Sequence, residues 1–208
     1  MYTFGEKVEL RDIISARRSY YDLGRNVNVN DDAIILAIED AVKHVPSAYN
    51  SQSQRVAVML GHDQKDLWDI IEAALRTKTG DERYALLSKE KINSFRSAYG
   101  TVLFFDDMTR TCEIGNRYPS NVGNFPIWAH QSSGMLQYTV WLLLRDMGLG
   151  ASLQHYNPIA DVKIRERWAL PYDWKLLAQM PFGSIGSEPG EKTFESLDTR
   201  MKVFQGKK

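Results

Sequence analysis

The chain is nearly free of cysteine: Cys112 is the only one among 208 residues. A single thiol cannot close an internal disulfide, so a reducing, cytoplasmic setting is expected. Its surroundings, Arg110-Thr111-Cys112-Glu113, match no signature of a nucleophile. Charge of either sign in excess is also missing. Lysine and arginine total 26, aspartate and glutamate total 26, and the formal net charge is +0. Such a chain lacks the basic surplus that nucleic acid or an anionic membrane surface requires. Long hydrophobic runs are absent as well. Met135 to Leu144 is the longest nearly apolar stretch, and Gln137 and Thr139 interrupt it. It falls short of the roughly twenty residues of a bilayer span, so no membrane insertion is expected. Met1 to Lys7 carries no apolar signal core.

The familiar marks of catalysis are missing too. Gly148-Leu149-Gly150 lacks the third glycine of a dinucleotide loop, and no Gly-Lys-Ser/Thr phosphate loop occurs. His44, His62, His130 and His155 show no metal-ligand spacing, so no metal is expected. No Gly-x-Ser-x-Gly elbow is present. An enzyme with no evident acid, base or nucleophile can leave the difficult chemistry to a cofactor.

What remains is an ordinary globular composition, 43% hydrophobic and 25% charged, read as one domain over residues 1–208. Val8 to Ala16 has helical apolar spacing and delivers Arg17-Arg18-Ser19 to its end. Gly24 to Asn30 reads as a polar link, and Asn30 to Asp32 offer caps for a helix over Asp31 to Val45 that Pro46 stops. Val56 to Leu60, Thr101 to Phe105 and Leu176 to Ile185 read as core strands. A helix is expected from Asp63 to Gly80, a polar, helix-prone surface excursion with no clear apolar stripe over 81–98, and a loop from Asn116 to Pro126. Ile127 to Met147 forms the longest helical pattern, apolar on almost every side in its middle, as at the centre of a domain or an oligomer. Asn157-Pro158 is expected to cap and start a helix running to Trp168. Helices and strands intermix without a βαβ rhythm, which favours α+β: a few-stranded sheet flanked by helices.

Two stretches stand out. Pro46-Ser47-Ala48-Tyr49-Asn50-Ser51-Gln52-Ser53-Gln54 joins a helix to a strand with small and amide side chains. Asn and Gln offer donors and an acceptor together and suit a flat, neutral edge such as that of a flavin or a base. The same composition also describes a polar connector that bonds to itself. Arg17-Arg18 beside Ser19 could fork onto a phosphate, or end a helix in solvent.

In their order along the chain, Arg17-Arg18-Ser19, Ser47 to Gln52, the long helix ending in Gly148-Leu149-Gly150, and Pro181-Phe182-Gly183 before a basic tail resemble the nitroreductase family. Pro46 to Gln54 and Met180 to Ser184 look like its shorter bacterial and fungal branch, described as copper-induced nitroreductases or as linked to fatty-acid repression. The resemblance implies a mainly antiparallel sheet, a homodimer with the long helix at its interface, and a C-terminal tail reaching the partner. It implies FMN, with NADH or NADPH as reductant, hydride transfer through flavin N5 in a ping-pong cycle, and nitroaromatics or quinones as acceptors. By position, Arg17, Arg18 and Ser19 would meet the FMN phosphate or ribityl. Tyr21 stands where many relatives have a basic residue, and Gln54-Arg55 where many have Pro-Trp. Ser47, Asn50 and Gln52 would face the isoalloxazine or ribityl edge, Gln154 and His155 the N5 and O4 side, and Lys192, Arg200 or Lys202, the last two favoured, the phosphate. Phe125 and Trp128 would frame the substrate. A flavin-binding regulator in lipid or stress signalling, with little turnover, is the alternative.

Overall fold

The computed structural model describes residues 9–206. Val8, expected to open the first helix, lies outside them. Helix α1 covers Leu10–Ala16, and strand β1 is the pair Leu23–Gly24, which overlaps the expected polar link only at Gly24. Helix α2 covers Asp31–His44. Asn30 caps it as expected, its Oδ1 accepting from the Ala33 N–H at 2.8 Å, and Ile34, Ile38 and Ala41 form the buried stripe. After the Pro46 loop come β2 (Gln54–Leu60) and α3 (Gly61–Thr79).

The 81–98 stretch is helical, as its propensity suggested, but it is not a surface excursion. It forms two helices, α4 (Asp81–Leu87) and α5 (Lys89–Ser97), that bury Tyr84, Ile92 and Phe95. Strand β3 covers Gly100–Asp107, and Asp107 then caps α6 (Met108–Arg117) by accepting from the Arg110 N–H at 2.8 Å. The expected loop over 116–126 begins within α6 and is mostly a 3-10 turn at Pro119–Asn124. The long helix α7 spans Phe125–Asp146, with Pro126 in its first turn where a missing N–H costs nothing. Strand β4 is Gly150–Ala151. Helix α8 runs Asp161–Trp168, not from Pro158: the Asn157–Pro158 segment makes a turn and Ala160 caps the helix. Strand β5 (Trp174–Ile185) and the single turn α9 (Leu197–Arg200) complete the order.

The sheet runs β1-β5-β3-β2, with β4 also on β5, and every pairing is antiparallel. Alternation along the strands sorts the core into two layers. Val102, Phe104, Ala178, Met180 and Phe182 face α2 and α7. Leu103, Phe105 and Leu176 face α3, α5 and α8. Each large apolar side chain so buried contributes about 1.5–3 kcal/mol. Trp68 can sit in the second layer because its Nε1–H donates to Thr101 Oγ1 at 2.9 Å.

Helix α7 is not buried all round within the chain. Leu136, Val140 and Leu144 are covered, whereas Ile127, Met135 and Tyr138 are 57%, 42% and 41% exposed. Among the described residues no helix is long and apolar enough to cross a membrane.

Candidate functional site

Three of the sequence motifs meet at one end of the sheet. Arg17 ends α1, after which Ser19 bridges to Ala151 in parallel and the Tyr20 N–H donates to Ala151 O at 3.0 Å. Ala151 pairs in turn with Phe182, and Gly150 with Gly183. This node has no room for side chains. A Cβ on Gly183 would lie 2.2 Å from Gly24 O, and one on Gly150 would lie 2.9 Å from Ile185 Cγ1. Pro181-Phe182-Gly183 is thus the strand on which the arginine motif is hung.

Arg17 lies over the Trp141 indole of α7, its Cζ 4.3 Å from the ring centroid, and its buried Nε has no hydrogen-bond partner. The start of the tail also reaches this corner. An Arg18 Nη2–H donates to Gly190 O, and the Tyr20 hydroxyl donates to Glu188 at 3.3 Å. Burial raises the Tyr20 phenol above its usual range, against the pull of Arg145. Tyr21, half-exposed, packs with Phe95 and Lys91 of α5.

Beside this node Gln154 is buried, exchanging backbone hydrogen bonds with Gln179 at 2.7 and 2.9 Å, while its Nε2 donates to Ser152 Oγ. Gln179 Oε1 accepts from the Tyr156 N–H, leaving its buried Nε2 without a partner. His155, between them, is exposed. Burial pushes the Tyr156 phenol up to about 12.

The Pro46–Gln54 loop lies elsewhere. Ser47 Oγ accepts from the Gln52 N–H at 2.9 Å, closing the loop on itself. Tyr49, Asn50 and Gln52 have φ of +53°, +51° and +49°. Left-handed backbone at residues other than glycine costs of order 1–3 kcal/mol each and persists only where the surroundings hold it. Tyr49 supplies one hold: its ring stacks on Trp128 at 5.7 Å and lies 4.3 Å from Tyr118, and its hydroxyl accepts from Asn121 Nδ2. Trp128 thus borders the loop, and the buried Phe125 supports it edge-on from 5.0 Å. The Asn50 and Gln52 residues are exposed, and Ser53 Oγ is buried with no partner.

The arginine motif rests on Trp141 and the loop on Trp128. Both belong to α7, thirteen residues apart, so at 1.5 Å per residue roughly 20 Å of helix separates them. In the tail, Arg200 and Lys202 are exposed, and Lys202 Nζ donates to Asp198 O at 2.7 Å. Sequence reasoning named Arg17 but not Trp141, and Trp128 but not Tyr118. It read Trp141 simply as one apolar position in a helix rich in them.

The nitroreductase family model matches residues 14–184. Nitroreductase FRM2 of Saccharomyces cerevisiae is 32% identical over 183 residues, 87% of this chain and 90% of that protein. Nitroreductase CinD of Lactococcus lactis in complex with nicotinic acid superposes with a TM-score of 0.88 at 37% identity, covering 95% of this chain and all of that one. The same enzyme in complex with 4-nitrophenol gives 0.86 at the same identity and coverage. The family model spans both the arginine motif and the Gly150–Gly183 node, and the chain belongs to the nitroreductase family of oxidoreductases.

Proposed function

We propose that this chain is an FMN-dependent enzyme that works as a homodimer and passes electrons from NADH or NADPH to nitroaromatics or quinones. One observation carries the reading: the cofactor-type residues sit at the two ends of α7, roughly 20 Å apart, beside a helix face left partly uncovered. Two copies packed through that face would bring the Arg17 end of one beside the Asn50 end of the other. A cofactor bound between them would then use both sets.

The side chains fit such a group. Arg17 keeps a buried, unpartnered Nε beside Ser19, and Gln179 Nε2 and Ser53 Oγ are likewise buried and unsatisfied. Buried polar atoms without partners are uncommon in a folded chain, and a polar ligand is one way to satisfy them. Arg17, Arg18 and Ser19 would bind the phosphate end, with Arg200 or Lys202 adding charge from the tail. Asn50 and Gln52 of the second copy would meet the ring, with Ser47 keeping their loop closed. Gln154 and His155 would line the opposite ring edge, and Tyr21 would stand beside the arginines. When bound, FMN supplies an N5 that accepts hydride from the nicotinamide and returns it to the acceptor. The chain's own part is to orient the ring, neutralise the phosphate and keep water off the face. A ping-pong order follows if nicotinamide and acceptor use one face in turn.

The dimer also accounts for the tail. Met201, Val203 and Phe204 are 61%, 61% and 93% exposed, and β2 is the open edge of the sheet. Beside β2 a cavity of about 470 Å³ is lined by Ile35, Ile38, Val42, Val56, Val58 and Trp174. A partner's extended tail would cover both.

The test is an anaerobic titration of the purified, FMN-loaded protein with NADH and with NADPH, followed by 4-nitrophenol or a quinone. Bleaching by either nucleotide and recolouring by the acceptor, at a solution mass of two chains, is the expected result. Yellow protein that neither nucleotide bleaches would instead favour the flavin-binding regulator, and protein that cannot be loaded would remove both readings.

A further inference from the structure

The loop that carries Asn50 and Gln52 is tied from behind through its carbonyls. Ser51 O accepts from Arg110 Nε at 3.0 Å. Gln52 O and Gln54 O both accept from Arg55 Nη1, at 2.8 and 3.0 Å. Ser53 O accepts from the Asp107 N–H at 2.9 Å. Four consecutive carbonyls are therefore held by three residues, and those three are joined to one another. Arg55 Nη2 pairs with Asp107 Oδ2 at 2.6 Å, and Asp107 Oδ1 accepts from the Arg110 N–H at 2.8 Å. The Arg55 and Asp107 side chains are 29% and 13% exposed, so water competes little for the pair. Arg55 also lies 5.9 Å from the Trp174 ring.

We infer that Arg55, Asp107 and Arg110 form a clamp that positions the ring-facing loop, and that FMN affinity depends on it although none of the three need touch the cofactor. The inference rests on the cofactor reading above. Its physical basis is the backbone of the loop. Asn50 and Gln52 hold positive φ, a conformation that residues with a Cβ abandon unless something fixes it. Tying the Ser51 and Gln52 carbonyls inward fixes the peptide planes on both sides of Gln52, and those planes decide where its side chain points; Asn50, one residue before the clamp, is held by its own N–H on Ser47 O and by the Ser51 N–H on Ala48 O, at 2.9 and 3.1 Å. Without the clamp the loop would sample other conformers, and binding would have to select the competent one at a loss of affinity. The device suits this chain because Arg55 reaches three acceptors from two nitrogens of one rigid plane, whereas an ammonium would have to serve them from a single atom.

The test measures the FMN dissociation constant by quenching of flavin fluorescence, the absorption spectrum of the bound flavin, and the melting temperature of the apoprotein. The variants are D107N, R55K, R55M and R55M/D107N. D107N can keep its oxygen as the cap on α6 while replacing the charged Oδ2 acceptor that holds Arg55 with an amide donor. Its dissociation constant should rise about tenfold, the order expected for losing a charge-assisted hydrogen bond, while the apoprotein melts nearly as before. R55K should fall between wild type and R55M. The double variant should bind no worse than R55M, because the residues act as a unit. The flavin spectrum should shift in every variant that binds weakly. Equal affinities and spectra throughout would overturn the clamp while leaving the cofactor reading in place. A weakening that merely follows a fall in melting temperature would do the same. Wild-type protein that takes up no FMN would overturn the cofactor reading itself, and the clamp's role with it.

Discussion

Arg17 stacks on Trp141, with its guanidinium carbon 4.3 Å from the indole centroid. Contact with an aromatic face contributes about 0.5–2 kcal/mol, depending on how dry the site is. It holds a long, flexible side chain in one place while leaving the Nε free of partners. Arg17→Ala should therefore weaken FMN binding about tenfold or more, since a charge-assisted bond to phosphate is worth roughly 1.5–3 kcal/mol. Trp141→Leu should weaken it less, because the charge remains and only its orientation is lost. Flavin fluorescence titration of both variants separates the two effects; unchanged affinity in Arg17→Ala would remove the phosphate role.

Gly183 and Gly24 approach through their backbones, and no side chain can yield between them. A methyl group at Gly183 would meet Gly24 O at 2.2 Å and Tyr99 N at 3.0 Å. At Gly24 the nearest atom is Ser184 Oγ at 2.7 Å, which can rotate away. Gly183→Ala should destabilise by about 2 kcal/mol or more, in the range of overpacked cores, lowering the melting temperature by roughly 4–8 °C. Gly24→Ala should cost clearly less. Because β1 continues from Ser19 and Tyr20, Gly183→Ala should also loosen FMN, whereas Gly24→Ala should leave its affinity near that of wild type.

The three long strands β2, β3 and β5 and the long helices could be read from the chain because their signals are local and repeated, whereas the two-residue strands β1 and β4 carry no such signal. Val102 to Phe105 is continuously apolar since both faces of β3 are covered, and Asn30 sits where a cap is needed. The buried faces of α4 and α5 were missed because three inward residues, Tyr84, Ile92 and Phe95, are spread among lysines, arginines and glutamates that remain in solvent. Helix α6 hid in the same way, with Thr111, Ile114 and Gly115 as its buried face. Within the candidate site, the arginine motif and the amide loop were legible as residue types, but their separation along α7 was not. The partners of Arg55 and Arg110 are carbonyls, which every residue possesses, so no pattern of side chains could announce the clamp.

Asp161 begins α8 with a buried carboxylate whose Oδ1 has no hydrogen-bond partner. Burial raises its pKa above 3.8, and Arg165 and Lys175 only partly oppose the shift. The folded form thus keeps this proton to higher pH than the unfolded form. Its contribution to stability is fully present below pH 3.8 and is lost as pH rises through the folded value. Asp161→Asn should therefore be more stable than wild type at neutral pH, with the difference shrinking toward zero as pH falls below that of the unfolded carboxyl. Denaturant unfolding of the pair at several pH values reads this directly. The comparison must be made between the two proteins, because Asp66 and Asp81, lowered by Arg167 and Arg76, act in the opposite direction in both. A difference that does not vary with pH would mean the carboxylate finds compensation in the folded chain.

Tyr49 is held at positive φ, half-exposed, with its ring against Tyr118 and Trp128 and its hydroxyl accepting from Asn121 at 3.0 Å. If the loop borders the redox ring, this stack is the surface an aromatic acceptor meets. A ring–ring contact is worth about 0.5–1.5 kcal/mol, so Tyr49→Ala should raise KM for 4-nitrophenol roughly two- to tenfold. Tyr49→Phe keeps the ring and loses only the Asn121 bond, so its KM should stay close to that of wild type. The discriminating control is ferricyanide, an electron acceptor with no ring to stack. Tyr49→Ala should leave its reduction nearly unchanged, because stacking stabilises only aromatic acceptors. An equal loss for both acceptors would show that removing Tyr49 releases the strained Asn50 and Gln52 backbone and disorders the loop, making Tyr49 a prop for the loop rather than a surface for substrate.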